Sequence, residues 1–225
     1  MANAPPSRDG PVAVAVIFAG GDPPHPAVVE HLPSRRLVVA ADSGVEHALE
    51  LGWAVDLLVG DLDSARPGSA AAVVSAGGSL ERHPADKDAT DLELALAAAR
   101  DRGIQHAVVV GGGGGRLDHL LANLLLLASD QFASLHLEFL AGTARAVIVR
   151  DQTELRGAPG SLCSLLPLGG DAHGVRTTGL RWPLDGEDLP SGTTRGLSNE
   201  FADSRATVAL DDGVLLVVQP TYLED

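Results

Sequence analysis

The sequence predicts an α/β protein, with an N-terminal doubly wound, mostly parallel sheet domain followed by a C-terminal antiparallel β-sandwich. Two observations carry this. Up to about residue 141, short Val-rich runs alternate with helical patterns, and the runs are continuously apolar, as in strands buried on both faces. Beyond about residue 142 helical periodicity disappears, and short β-like runs are punctuated by Gly, Pro, Asp and Thr, as in "LGGDAHG" and "LDGEDLPSG". A boundary is therefore expected at "AGT" (141–143), dividing the chain into 1–141 and 142–225.

Taken in order, the expected strands of the first part are 12–18, 36–41, 56–60, 79–82, 107–111 and 135–140. Between them, helical patterns fall near 26–32, 44–51, 67–76, 89–101 and 117–128. The run "VAVAVIFAG" (12–20) imitates the apolar part of a signal peptide, but Asp9 and a single Arg precede it, so it reads as a buried strand. In 89–101, Leu92, Leu94, Ala95, Leu96, Ala98 and Ala99 form a broad apolar stripe. The run "LLANLLLLA" (120–128) is too short to span a bilayer and contains Asn123. In the second part, strands are expected at 145–149, 162–166, 174–178, 206–210 and 214–219. There is no internal repeat, and the only low-complexity stretch is "MANAPPSRDG".

Composition limits the partners. The chain has 225 residues, 45% of them hydrophobic, which suffices for one large or two small domains with real cores. Its formal net charge of −14 opposes non-specific binding to nucleic acid, so an anionic ligand must be met locally, by a metal or a few Lys and Arg side chains. The single cysteine, Cys163, excludes an intrachain disulfide and fits a reducing compartment. A soluble, cytoplasmic protein with no membrane partner is expected.

In an open parallel sheet, ligands bind outside the carboxyl ends of the strands. Four polar clusters fall at such ends. "RLVVAA" leads to Asp42; "VDLLVG" leads to Asp61, Asp63 and Ser64; "SLERH" leads into "PADKDATD"; and "HAVVVG" leads to a glycine run with Arg116, Asp118 and His119. At least six carboxylates are then expected on one rim. Crowded like charges repel and raise one another's pKa, and a divalent cation relieves this. Mg²⁺ takes carboxylate and water oxygens and completes its shell with substrate phosphates. Asp61 and Asp63 alternate along an extended segment, and Asp88 and Asp91 stand at i, i+3 on a helix face, both spacings suited to metal bridging. The run "GGGGGR", opening a helix, offers bare N–H groups to an anion. Singly, each cluster has an ordinary reading: Asp42 as a helix cap, "GDLDS" as a polar turn, "DKDATD" as a cap with a solvated face, His119 as a satisfied helix histidine. Four of them, each at its own strand end, point to Mg–polyphosphate chemistry.

The segments "ADSGVEHAL", "VDLLVGDLDSA", "DKDATDLELAL" and "GGGGGRLDHLLANLLLL", with the later "TTGLRWPL" and "GLSNEF", resemble the thiamine pyrophosphokinase (thiamine diphosphokinase) family, in the family's order and over roughly 12–219. The resemblance implies an α/β domain, a β-sandwich and a homodimer with active sites at the subunit interface. It implies transfer of the terminal pyrophosphoryl group of ATP to the hydroxyl of thiamine, releasing AMP, with Mg²⁺. Carried over by motif, Asp42, Asp61, Asp63 and Asp91 organise metal and phosphate. Lys87, Asp88, Thr90, Gly115, Arg116, Asp118 and His119 lie on the nucleotide side. Ser198, Asn199 and Trp182 form the thiamine-side wall, supplied by either chain; Trp182 has a second reading as a core residue of the sandwich, and Pro183 limits strand pairing beside it. Arg116 suits stabilisation of developing charge, and either Asp63 or Asp91 can take the hydroxyl proton. Two rival readings are a pyrophosphokinase acting on another small alcohol, such as a hydroxymethylpterin, and a non-catalytic sensor of nucleotide or thiamine diphosphate.

Overall fold

The Val-rich runs of the first half form six parallel strands in the computed structural model, which describes residues 13–34 and 36–224. They are β1 (Val14–Ala19), β2 (Leu37–Ala41), β3 (Leu57–Gly60), β4 (Ser79–Arg82), β5 (His106–Gly111) and β6 (His136–Ala141). The segment 1–10 and the first residue of the expected first strand lie outside the described residues. Across the sheet these strands run β6-β5-β1-β2-β3-β4. The chain moves outward from β1 to β4, then returns to the other side of β1, which places the topological switch point between β1 and β5.

Strand alternation decides which helices cover which face. Val16, Phe18, Val38, Ala40 and Leu58 pack with Val28 of α1 (Val28–His31), Val45 and Ala48 of α2 (Gly44–Glu50), and Val73 of α3 (Ser69–Ser75). Ala15, Ile17, Val39 and Val59 pack with Leu92 and Leu96 of α4 (Asp91–Asp101) and with Leu127 of α5 (Leu117–Leu127). The first half is therefore doubly wound, as the sequence predicts. The helix expected at 26–32 is shorter, four residues long.

The second half holds β7 (Ala144–Val149), β8 (Gln152–Arg156), β9 (Leu162–Pro167), β10 (Ala172–Thr178), β11 (Asp185–Leu189), β12 (Asn199–Glu200), β13 (Arg205–Ala209) and β14 (Leu215–Gln219). Four of these extend the parallel sheet. The result is one ten-stranded sheet, β12-β9-β14-β7-β6-β5-β1-β2-β3-β4, with antiparallel pairing from β6 onward to β12. The other four make a separate sheet, β11-β10-β13-β8. Val147, Val149, Leu165 and Val217 of the large sheet meet Val175, Leu189 and Val208 of the small one in a second core, giving the sandwich. The segment "AGT" (141–143) is the turn of the β6–β7 hairpin, with Gly142 at φ 57°. Strands β8 and β11 were not expected, because "QTELR" and "DGEDL" each bury a single residue, a leucine, and carry no apolar alternation. Cys163 is a free, buried thiol that burial pushes up to about 12. Among the described residues no helix is long and apolar enough to cross a membrane.

The start of α2 lies against the end of β1. A Cβ at Gly44 would collide with the Phe18 carbonyl oxygen and lie 2.9 Å from the Ala19 carbonyl carbon, whereas Gly170 has nothing within 4 Å. Backbone cannot give way as a side chain tip can, so Gly44→Ala should cost about 3 kcal/mol. In a domain of this size that lowers Tm by roughly 6–12 °C. Gly170→Ala should stay within about 0.5 kcal/mol of wild type. Thermal melts of the two variants check the pair; equal melting temperatures would show that α2 adjusts freely.

Candidate active site

The carboxyl ends of β1, β2, β3, β4 and β5 lie along one rim, so their loops share it. Two of these loops are stitched together at the switch point. The Gly112 amide donates to the Gly20 carbonyl at 2.7 Å, and the Asp22 amide donates to the Gly113 carbonyl at 3.0 Å. The Asn123 side-chain amide, nearly two turns into α5, donates to the Gly112 carbonyl at 3.1 Å. Gly111, Gly112, Gly114 and Gly115 all take positive φ, which a chain of ordinary residues would not tolerate, and Ala19, Ala141 and Asp22 crowd the same loop.

Asp42 follows β2 in the left-handed region, at φ 45°, with its amide donating to the Val59 carbonyl at 2.8 Å. It is 8% exposed, and its Oδ1 has no hydrogen-bond partner. Burial pushes its carboxyl above the ordinary value; the Ser43 amide opposes this, and the charges of Asp91 and Asp61 add to it. Asp61 goes the other way. Its carboxylate accepts from the Asp63 amide at 3.1 Å and from Lys87 Nζ at 2.9 Å, which holds it below the ordinary value. Oxygens of Asp42, Asp61 and Asp63 all lie within 4.8 Å of one another. Hard carboxylate oxygens at that separation, one of them orphaned in the interior, are a donor set for a divalent cation of the Mg²⁺ kind.

Lys87 closes the cluster on its far side. Its ammonium is 2.9 Å from Asp61 Oδ2 and 3.1 Å from Asp91 Oδ1, with only 14% of the side chain exposed. Gly60, at φ 143°, lets the chain pass between Asp42 and Asp91: a Cβ there would stand 2.9 Å from Asp91 Oδ1 and 3.2 Å from the Asp42 Cβ. Asp91 thus neighbours the trio and is not among the three carboxylates whose oxygens lie within 4.8 Å of one another.

The structure corrects two local expectations and places a third residue. Asp61 and Asp63 converge through an Asx-type turn, with Leu62 at φ 66°, and not along an extended segment. Helix α4 begins at Asp91, with Thr90 as its cap; the Thr90 hydroxyl accepts from the Glu93 amide at 3.2 Å. Asp88 thus precedes the helix, in an exposed loop, and the i, i+3 relation to Asp91 does not exist. Asn199 is 6% exposed, and its side chain is spent on Trp182: Nδ2 donates to the Trp182 carbonyl at 2.7 Å and Oδ1 accepts from its amide at 3.1 Å. It braces the Trp182 backbone.

The remaining residues fall into two further places. Gly115, Arg116, Asp118 and His119 sit at the open end of the glycine loop, all exposed. Arg116 makes a forked pair with Asp118, at 2.6 and 3.1 Å, which holds the Asp118 carboxyl down at about 2. Trp182 lies in the β10–β11 loop, 52% exposed, with the Arg181 guanidinium 4.8 Å from its ring centre, so it is not a core residue. Ser198, in the left-handed region at φ 58°, is exposed nearby. Sequence reasoning missed Asp22, whose carboxylate meets Gly114 in the loop, and His47, whose Nε2 is 3.2 Å from the Gly21 carbonyl. The available signal was "GGD" directly after a buried strand.

Residues 29–139 match a family model described as the thiamin pyrophosphokinase catalytic domain, and residues 148–215 match its vitamin B1 binding domain. A thiamine pyrophosphokinase of Bacillus subtilis is 27% identical over 207 residues, covering 87% of this chain and 92% of the relative. A crystal structure of thiamine pyrophosphokinase from Bacillus subtilis superposes with a TM-score of 0.81 at 24% identity, covering 92% of this chain and 99% of the other. One of a thiamin pyrophosphokinase family protein from Enterococcus faecalis gives a TM-score of 0.75 at 27% identity, with 92% and 97% covered.

Asp42 permits a direct test of the cation site. Its folded carboxyl lies above the unfolded value, so the native state keeps the proton to higher pH, and stability falls as pH rises through that interval. At neutral pH the ionised group is a burden. Asn tolerates left-handed φ. Metal-free Asp42→Asn should therefore melt at or above the wild-type temperature at pH 7. Mg²⁺ should raise the melting temperature of the wild type and leave that of the variant unchanged. Equal Mg²⁺ shifts in both would remove Asp42 from the site.

Proposed function

Because the chain belongs to the thiamine pyrophosphokinase family, we propose that it transfers the pyrophosphoryl group of ATP to the hydroxyl of thiamine, giving thiamine diphosphate and AMP. The observation that carries this reading is the convergence of three strand-end carboxylates beside Lys87, in the half that matches the catalytic model. Asp42, Asp61 and Asp63 would hold Mg²⁺, which when bound neutralises polyphosphate charge and orients its oxygens. Lys87 keeps Asp61 and Asp91 in place across the cluster. The free N–H groups of the glycine loop, at the start of α5, receive phosphate oxygens, and Arg116 meets the charge that grows on the transferred group. Asp91 stands beside the cation cluster but outside it, so we assign it the hydroxyl proton in preference to Asp63. Such transfers depend on positioning and charge neutralisation more than on covalent chemistry.

We further propose a homodimer whose sites lie between subunits. The bracing residue Asn199 opens β12, seven strand spacings from β2 in the same sheet. At about 4.8 Å each, that is roughly 34 Å from the loop of Asp42. A ligand as small as thiamine cannot touch both Trp182 and the carboxylates of one chain across that span. Apolar surface supports the pairing. Leu117, Leu121 and Leu125 line one exposed stripe of α5, next to the glycine loop, while Trp182 and Leu197 are exposed on the sandwich. The buried free thiol is in keeping with a cytoplasmic location.

Release of AMP from ATP and Mg²⁺, followed with thiamine, with a hydroxymethylpterin and with no acceptor, tests the reaction. Thiamine alone should support turnover, and Asp61→Asn should lower it by at least ~100-fold, roughly 2.7 kcal/mol. Turnover with the pterin only would replace the acceptor, and binding of nucleotide without AMP release would make the protein a sensor. Co-expression of Asp61→Asn with Trp182→Ala tests the dimer. Random mixing makes about half of the dimers mixed, each with one intact site, so activity should recover to ~25% of wild type per chain. Purified mixed dimers no more active than their parents would place both halves of the site in one chain.

A further inference from the structure

A second cluster of metal-ligating side chains lies at the opposite end of the sheet from the rim. His106 opens β5 and His136 opens β6, and the two stand directly opposite each other in the parallel ladder. Glu138, two residues on, therefore points to the same face. The His106 Nε2 is 3.0 Å from Glu138 Oε1, the two imidazoles meet edge to face at 5.1 Å, and one ligand atom from each of the three residues falls within 4.8 Å of the others. Gly111, where β5 meets the rim, is five residues from His106, about 17 Å along the strand.

What lies behind the cluster has the form of an outer ligand shell. Arg145 of β7 binds the other carboxylate oxygen, Oε2, at 2.7 Å, and itself donates to Gln219 Oε1 at 3.2 Å. Gln219 is 2% exposed and donates onward to the Arg156 carbonyl at 2.8 Å. This buried chain fixes the plane of the Glu138 carboxylate and turns Oε1 toward the two histidines, as outer-shell partners do for ligating carboxylates. In front, a cleft of about 240 Å³ carries His106 and Glu138 together with Glu30, His31 and Tyr222.

We propose that His106, His136 and Glu138 form a binding site for a transition-metal ion of the zinc class, separate from the acidic rim and joining β5 to β6. Two imidazoles and one carboxylate are the ligands such ions prefer, whereas Mg²⁺ selects oxygen donors. Tetrahedral ligands at ordinary zinc distances stand roughly 3.4 Å apart, so His106 and Glu138, now 3.0 Å apart, would open slightly and the rest of the trio, within 4.8 Å, would close around the ion.

The full-length protein, stripped of metal and held in excess Mg²⁺ to occupy the acidic rim, is titrated with Co²⁺ and then with Zn²⁺ as competitor. One Co²⁺ per chain should bind with the visible absorption of a nitrogen-ligated, four-coordinate ion, and Zn²⁺ should displace it. Asp61→Asn should leave both results unchanged. His136→Ala removes an exposed ring and spares the buried Glu138–Arg145 pair, so it should fold; it should weaken Zn²⁺ binding by at least tenfold, as should His106→Ala. Absence of Co²⁺ binding in excess Mg²⁺, equal Zn²⁺ affinity in wild type and both histidine variants, or loss of the signal in Asp61→Asn would each overturn the site and leave the cluster as an ion-paired network.

Discussion

The pairing of β6 with β7 determines what lies on either side of it. Up to β6 each strand is parallel to its neighbour and reaches it by a helical crossover. At Gly142 the chain turns back on itself in a tight hairpin, and from there the sheet grows by antiparallel strands. The two halves thus share one hydrogen-bonded ladder instead of meeting across an interface. Ala146 and Ile148 continue the core beneath α4 and α5, while Val147 and Val149 begin the core of the sandwich, so a single strand serves both. The hairpin also brings Arg145 beside Glu138. Because the ladder is continuous, β12 and β2 stand seven strand spacings apart in one sheet.

At the rim, repulsion is managed by position. Asp42 is buried and raised, Asp61 is exposed to donors and lowered, and Lys87 sits between Asp61 and Asp91. One lysine offsets part of the charge of two carboxylates and leaves Asp42 uncompensated. On the proposed reading, that residual, with an oxygen lacking any donor, is the charge that a bound cation would offset. The two left-handed residues, Asp42 and Leu62, bend their loops so that side chains from different strands meet, and both conformations carry a backbone cost that the strand ends absorb.

The fold was legible where burial is two-sided. Strands such as "VAVIFA" and "HAVVVG" announce themselves through unbroken apolar runs, and each carboxyl end then points to a loop on the rim. Strands of the small sheet are apolar on one side only, and "DGEDL" buries little beyond Leu189, so period and composition fall silent there. Residue types on the rim were legible for the same reason that the rim was: polar groups stand out after apolar strands. Their partners were not. That Lys87 bridges Asp61 and Asp91, or that Asn199 serves the backbone of Trp182, depends on contacts between elements far apart in sequence.

The pairing of Arg116 with Asp118 shows how the loop can be ordered and still available. Both side chains are largely exposed, at 70% and 64%, so their forked contact is screened by water and contributes at most about 1 kcal/mol. A polyphosphate oxygen offers Arg116 the same geometry with more charge, and the loop N–H groups and α5 terminus favour an anion there. On the proposed reading, Asp118 holds the guanidinium near its working place at little cost and yields it on binding. Asp22, set against Gly114, acts in the same loop with the opposite effect: a fixed negative charge beside an anion site disfavours any ligand whose own charge is not offset. An uncomplexed phosphate would be repelled, whereas a polyphosphate that shares its charge with a cation on Asp42, Asp61 and Asp63 would not. On that reading the acidic rim would favour the metal complex of its ligand over the free anion, which would reconcile a chain of net charge −14 with a strongly anionic substrate.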